Sequence, residues 1–304
     1  MKRILISLSF MLGVIQLMAQ QDPTYGQYIF NSTILNPAQA GVQDNNQVGI
    51  LTRKQWLGMD GAPTTNSIFA NTRLQKNLGL AGGVYNDKIG PTNTVTVQAD
   101  IATQVQLNES WTFSGGIRAS VSNMRANLTT LAIGQIGDPN FNTNYNSGLY
   151  MNMGAGVLLY SEKYFFGASM PRLFNKQIKE GDAVLTNLQN HFFIYGGANM
   201  MVKEDITFTP SLLFKKVANS PLSVDVNFVF NYKDFLDLGP MIRYKDAFGF
   251  LVGYKISPQF YVGYMYEYPI SDVQMISKQT HELSLRVNWQ TKYKKKIKSP
   301  RYFL

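Results

Sequence analysis

Long runs of strict period-two alternation constrain this chain more than any other feature. Residues 94–105 set Val95, Val97, Ile101 and Val105 against Thr94, Thr96, Gln98, Asp100 and Gln104. Residues 111–121, 222–231, 247–256 and 281–289 repeat the pattern, for example Leu283, Leu285, Val287 and Trp289 against Glu282, Ser284, Arg286 and Asn288. A helix cannot keep such a pattern on one face, whereas the pleat of a strand does so automatically. The chain is therefore expected to be all-β, with about fourteen strands between residues 46 and 290. Most of these segments run to about 9–13 residues, the length that carries a tilted strand across a bilayer and about twice that of an ordinary globular strand. Short turns are expected at Gln75-Lys76, Asn108, Ser161-Glu162, Glu204, Tyr232-Lys233 and Ser257. Longer connections alternate with them at 57–63, 88–92, 122–145, 171–189 and 270–277. That alternation predicts an antiparallel up-and-down transmembrane barrel, with turns on the periplasmic side and loops outside. A secreted β-sandwich is the competing fold. It explains neither the alternation nor polar faces rich in Gly, Ser and Asn but poor in Lys and Glu.

The net charge of +9 bears on function only once it is located. Eight of the 28 basic residues are Lys2, Arg3, Lys292, Lys294, Lys295, Lys296, Lys298 and Arg301, which leaves 20 basic against 19 acidic residues between positions 4 and 290. The body is neutral, and no basic groove for nucleic acid is expected. Lys2-Arg3 followed by the apolar run Ile4–Met18 reads as a secretory signal peptide over residues 1–19. Residues 291–304 read as a basic periplasmic tail. An even strand count then puts both termini in the periplasm of a barrel in the outer membrane.

Fourteen strands enclose more space than their own side chains fill, because about 8 strands make a filled barrel and about 16 an aqueous channel. Residues 20–45 supply a candidate plug. They contain no Lys or Arg and combine Tyr25, Tyr28, Ile29, Phe30, Ile34 and Leu35 with an Asn36-Pro37 turn. Inward positions in the strands include Arg73, Asp100, Arg118, Lys215, Asp225, Arg243, Lys255, Glu267, Glu282 and Arg286. These are four acids and six bases that can pair across the lumen or line an ion path.

Catalytic chemistry finds little support. There is no cysteine, and the two histidines, His191 and His281, have no serine placed beside them by strand logic. No carboxylate cluster has metal-ligand spacing, and the GAGV and SGGI segments lie inside strands rather than in phosphate-binding loops. A non-enzymatic protein without cofactor or metal is expected.

Four blocks in order carry a family resemblance: DPTYGQYIFNSTILNPAQAGVQ at 22–43, RKQWLGMDGAPTTNS at 53–67, GVYNDKIGPTNT at 83–94, and GAGVLLYSEKYFFGASMPRLFN at 154–175. The chain resembles the PorP/SprF family of the Bacteroidetes type IX secretion and gliding-motility system. It departs from that pattern at Gly26 and at Ser32-Thr33. The resemblance implies an outer-membrane barrel that assists export or surface attachment of secreted proteins such as gliding adhesins. The implied partners are periplasmic or peptidoglycan-linked translocon subunits, the C-terminal domain of a secreted adhesin, and outer-membrane lipid. A passive porin for small solutes is the alternative. The motif residues are Asn36, Pro37, Gly41, Arg53, Trp56, Gly58, Gly61, Pro63, Asp87, Lys88, Gly90 and Pro91. Trp56, Gly58, Gly61 and Pro63 are expected on the first extracellular loop, with Trp56 exposed. Asp87, Lys88, Gly90 and Pro91 are expected on the second, either as tight turns or as a docking surface.

Overall fold

The computed structural model describes residues 25–43, 45–130, 143–180, 183–218, 220–275, 277 and 279–290. The signal-peptide and tail segments lie outside the described residues. Fourteen strands form one closed antiparallel wall: β1 (Asn45–Lys54), β2 (Thr64–Gln75), β3 (Leu78–Ile89), β4 (Thr92–Gln106), β5 (Thr112–Ala126), β6 (Tyr145–Tyr160), β7 (Tyr164–Met170), β8 (His191–Ala198, continued by Met200–Lys203), β9 (Ile206–Val217), β10 (Ser223–Tyr232), β11 (Leu236–Arg243), β12 (Ala247–Lys255), β13 (Phe260–Pro269) and β14 (Thr280–Gln290). Each pairs with its neighbours in sequence, and β1 closes on β14 from Asn45 opposite Gln290 to Lys54 opposite His281. Among the described residues no strand edge is left as in an open sheet, the condition a sheet must meet to span a bilayer.

The alternation separates two solvents. Ile68 is 59% exposed, Val97 53% and Ile117 55%, all on the outer face. An apolar surface of this kind is stable only against lipid or another protein. The opposite parity, with Ser67, Gln98, Asp100 and Arg118, is buried inside.

Turn chemistry follows the sequence closely. Asn108 Oδ1 accepts from the backbone N–H groups of Ser110 and Trp111 at 2.9 Å each, and Ser161 Oγ accepts from Tyr164 N at 2.9 Å. Lys233 and Asp234 both have positive φ, 48° and 62°. That pair of left-handed residues matches the twist of a tight hairpin. These short turns close one end of the barrel, and the long connections gather at the other. The segment 171–190 carries a hairpin of its own, Lys176–Glu180 paired with Ala183–Leu188, as a sheet separate from the wall, with Ile178 packed on Met124 and Tyr150.

The segment 88–92 is not a loop. β3 runs on to Ile89 and β4 starts at Thr92, so Asp87 and Lys88 are strand residues and only Gly90-Pro91 turns. Thr65 opposite Asp87 and Thr64 opposite Lys88 extend the ladder to the rim, because every backbone group there gains a partner by continuing.

Candidate functional site: the occupied lumen

Residues 25–43 lie inside the barrel. Three short 3-10 turns, Gly26–Ile29, Ser32–Ile34 and Pro37–Gln39, carry the chain from the long-connection end down to the start of β1. All of these residues are buried except the half-buried Ile34. Tyr28, Ile29, Phe30 and Leu35 pack with Tyr160, Phe165, Phe193 and Tyr261 of the wall as one apolar cluster. Such burial offsets the cost of ordering a segment with no regular ladder of its own.

The lower part of this segment fits a notch made by glycine. A Cβ on Gly116 would lie 2.5 Å from Ala38 N, and one on Gly79 or Gly156 would strike Ala40 O or Asn36 Oδ1. Asn36 Oδ1 accepts from Ala38 N at 2.9 Å and so caps the turn that Pro37 begins. Its Nδ2 donates to Val157 O at 2.9 Å and to the Tyr195 hydroxyl at 3.1 Å. Gly41 has φ +66°, and its N–H donates to Asn71 Oδ1 at 2.7 Å. Asn36, Pro37 and Gly41 thus serve a close approach of backbone to wall, which only small residues and left-handed φ permit.

The wall reads the segment largely through its backbone. Arg118 donates to Thr33 O and Ile34 O, Arg286 to Phe30 O at 3.2 Å, and Arg73 Nε to Gly41 O at 3.1 Å. Ser169 donates to Leu35 O and Ser114 to Ala38 O, each at 2.7 Å, and Gln104 to Ala40 O at 2.9 Å. At the upper end the Glu282 carboxylate accepts from the N–H groups of Gly26 at 2.6 Å and Gln27 at 2.8 Å.

The charged groups form cross-strand pairs. Arg118 bonds Asp100 through both carboxylate oxygens at 2.6 and 2.8 Å, and Arg243 bonds Asp225 likewise at 3.0 and 3.1 Å. Arg53 binds Glu267 through two nitrogens at 3.0 and 2.9 Å and also bonds Glu282. Arg243 reaches Glu267 as well, at 3.4 Å. The four acids read as inward are therefore all paired, and forked guanidinium–carboxylate bonds of this kind compensate charges held out of water. Arg53 was legible only as a motif residue, although its parity with Leu51 points it inward. Lys255 has inward parity but is exposed at the end of β12.

The rim motifs meet at the upper end. Gln55 N donates to Pro63 O at 2.9 Å, Leu57 N to Gln279 O at 2.8 Å, and Gly90 N to Gly61 O at 2.8 Å. The connection 55–63 is thereby tied to the Gly90-Pro91 turn on one side and to the β13–β14 connection on the other. Gly58 and Gly61 have φ of +93° and +73°, as the turns require. Trp56 itself has φ +54°, is half-buried rather than exposed, and donates its N–H to Thr280 Oγ1 at 3.2 Å. Asp87 faces inward and accepts from Thr65 Oγ1 at 2.7 Å. His281 bonds the Tyr264 hydroxyl at 2.7 Å and Gln279 at 3.2 Å, and His191 is buried against Phe193.

Tyr25, where the described chain begins, packs with Leu51, Phe69 and Tyr85 near the long connections. Tyr25 thus lies towards the opposite end of the barrel from Gln290. Above the segment lies a cavity of about 180 Å³ whose lining includes Tyr25, Ile34, Leu35, Tyr85, Met124 and Phe193.

A closed fourteen-stranded antiparallel barrel with a lipid-compatible exterior defines the class: an outer-membrane β-barrel. The chain is similar in fold to the TodX deltaS2S3 mutant, a monoaromatic hydrocarbon channel, at a TM-score of 0.51 and 10% identity over 89% of this chain and 95% of that one. It is similar also to the CymD monoaromatic hydrocarbon channel, at 0.50 and 10% over 88% and 93%. At this identity the likeness is one of fold alone. The family of the type IX secretion system membrane protein PorP/SprF matches residues 17–287, and the chain belongs to that family. None of the curated proteins matches it in sequence.

Proposed function

We propose that this protein is a non-enzymatic outer-membrane component of the type IX secretion system that assists export or surface attachment of secreted proteins such as gliding adhesins. Membership of the secretion family over residues 17–287 carries this reading. The inner segment supports it against a passive porin, because residues 25–43 fill lumen space that a solute would need. In this reading the short turns and the carboxyl end face the periplasm and its translocon subunits, while the long connections face outward.

The joined connections 55–63, 90–91 and 270–279 form the docking surface for the C-terminal domain of the secreted adhesin. Their mutual hydrogen bonds hold the surface rigid, which lowers the ordering cost of binding. Affinity purification from native membranes, with mass identification of co-purifying chains, tests the proposal. Translocon subunits and a secreted adhesin are expected, and Trp56→Ala should reduce adhesin recovery while heat-modifiable, assembled barrel is unchanged. An eluate without secretion components would overturn the reading, and loss of assembly in the variant would make Trp56 structural.

A further inference from the structure

We infer that the lumen is a polypeptide-binding tunnel in which residues 25–43 are a resident occupant, exchangeable for an uncharged polypeptide segment supplied in trans. Three observations carry this together. The first is that recognition is directed in large part at the backbone, beside side-chain bonds to Gln27, Tyr28, Asn36 and Gln39. Arg118, Arg286 and Arg73 donate to carbonyl oxygens of the segment, as do Ser114 and Ser169, while Glu282 accepts from two of its amides. Carbonyls and amides are present in every polypeptide, so these contacts do not by themselves demand this sequence.

The second is that selectivity arises from what the wall leaves no room for. Gly79 and Gly116 let the backbone of Ala38–Gly41 lie against the wall, and Gly156 makes room for the Asn36 side chain. Ala40 itself is fully buried against Ala81 and Ala102, which leaves space there for a small residue alone. Residues 25–43 contain no Lys, Arg, Asp or Glu. An added charge would be buried beside guanidinium and carboxylate groups already bonded to one another or to the segment's backbone, at a large desolvation cost. The class of ligand is therefore a neutral segment with apolar and aromatic residues followed by a narrow turn and small residues.

The third is a place to begin displacement. The cavity of about 180 Å³ lies against Tyr25, Ile34 and Leu35, on the long-connection side of the segment. A competing chain entering there would take over contacts one at a time, without first emptying the lumen. That the natural competitor belongs to an exported protein rests on the secretion role proposed above; the capacity of the lumen to take a chain in trans does not.

The test uses the full chain with a protease site inserted after Gln43, cut only after the barrel has folded. A fluorescent peptide of sequence 25–43 is then added to purified protein in detergent, and anisotropy is followed. Saturable binding to the cut barrel, and none to the uncut one, is expected. A peptide carrying Ala40→Trp should bind about tenfold or more weakly. Ser114→Ala, a change that leaves the ion pairs intact, should weaken the unaltered peptide by roughly two- to tenfold. A cut segment that never exchanges in excess peptide would overturn the inference, since the segment would then be only core. Equal binding of a peptide with Ala40→Lys would overturn it too. Because no secretion component is present, either failure leaves the proposed secretion role standing.

Discussion

Asn36–Gly41, at the lower end of the inner segment, lies against glycines of β3, β5 and β6, whereas Gly26–Ile34, at the upper end, meets Glu282, Arg118 and Arg286. The lower end combines close backbone-to-backbone shape, with no space for a methyl group on Gly79 or Gly116, with mostly neutral hydrogen bonds and Arg73 on Gly41 O. The upper end is held by charge, with buried guanidinium and carboxylate groups completing their hydrogen bonds on peptide groups. The two respond differently to change. A steric fit fails when an atom is added, and a buried ionic fit fails when a partner is taken away.

Removing charge should have the largest effect. Arg118→Met leaves Asp100 buried without its forked partner, and breaking such a pair costs about 3–5 kcal/mol. Urea unfolding in lipid should show that loss, while Arg118→Met combined with Asp100→Leu should recover most of it. If the double variant is as unstable as the single, the bond from Arg118 to the inner segment matters more than its ion pair.

Adding an atom at the lower end should come next. Gly116→Val drives side-chain atoms into the backbone of Ala38 and is expected to cost about 1–3 kcal/mol. Gly115→Val is the control, because its nearest neighbour is the Phe113 ring at 3.7 Å. Comparable loss in both variants would remove the notch from the explanation and leave only strand propensity.

The smallest effect on the barrel should follow deletion of residues 292–304. Charge in water, where the sequence reading puts this tail, differs from the buried charge of the lumen in being screened, since the Debye length falls from about 10 Å at 0.1 M salt to about 3 Å at 1 M. The truncated protein should unfold as the whole one does but lose partners whose capture is salt-sensitive. Capture of every partner at low salt would reduce the tail to a solvated stub.

Strand number, turn positions and the direction of most side chains were legible in the sequence because each rests on local physics. The pleat converts parity into side, and residues such as Asn108 and Ser161 close their own turns. For the same reason Asp100, Arg118, Asp225, Arg243, Glu267 and Glu282 were read correctly as inward. Their partners in the inner segment were not legible, because nothing local ties Arg118 to the carbonyls of Thr33 and Ile34, some 85 residues away in the chain. Asp87 and Lys88 were misplaced into a loop since Gly90-Pro91 marks a turn without saying how far the ladder climbs towards it. Trp56 was taken as exposed because its environment is made by Thr280 and the β13–β14 connection, at the far end of the sequence. The sequence alone determined that this chain alternates between two faces and must close on itself, which follows from the pleat and from the cost of an unpaired edge in lipid. The sequence also offered residues 20–45 as a candidate plug, but only the tertiary structure decided which wall groups hold residues 25–43, because closure brings β3, β5, β6 and β14 around a segment that none of them adjoins in sequence.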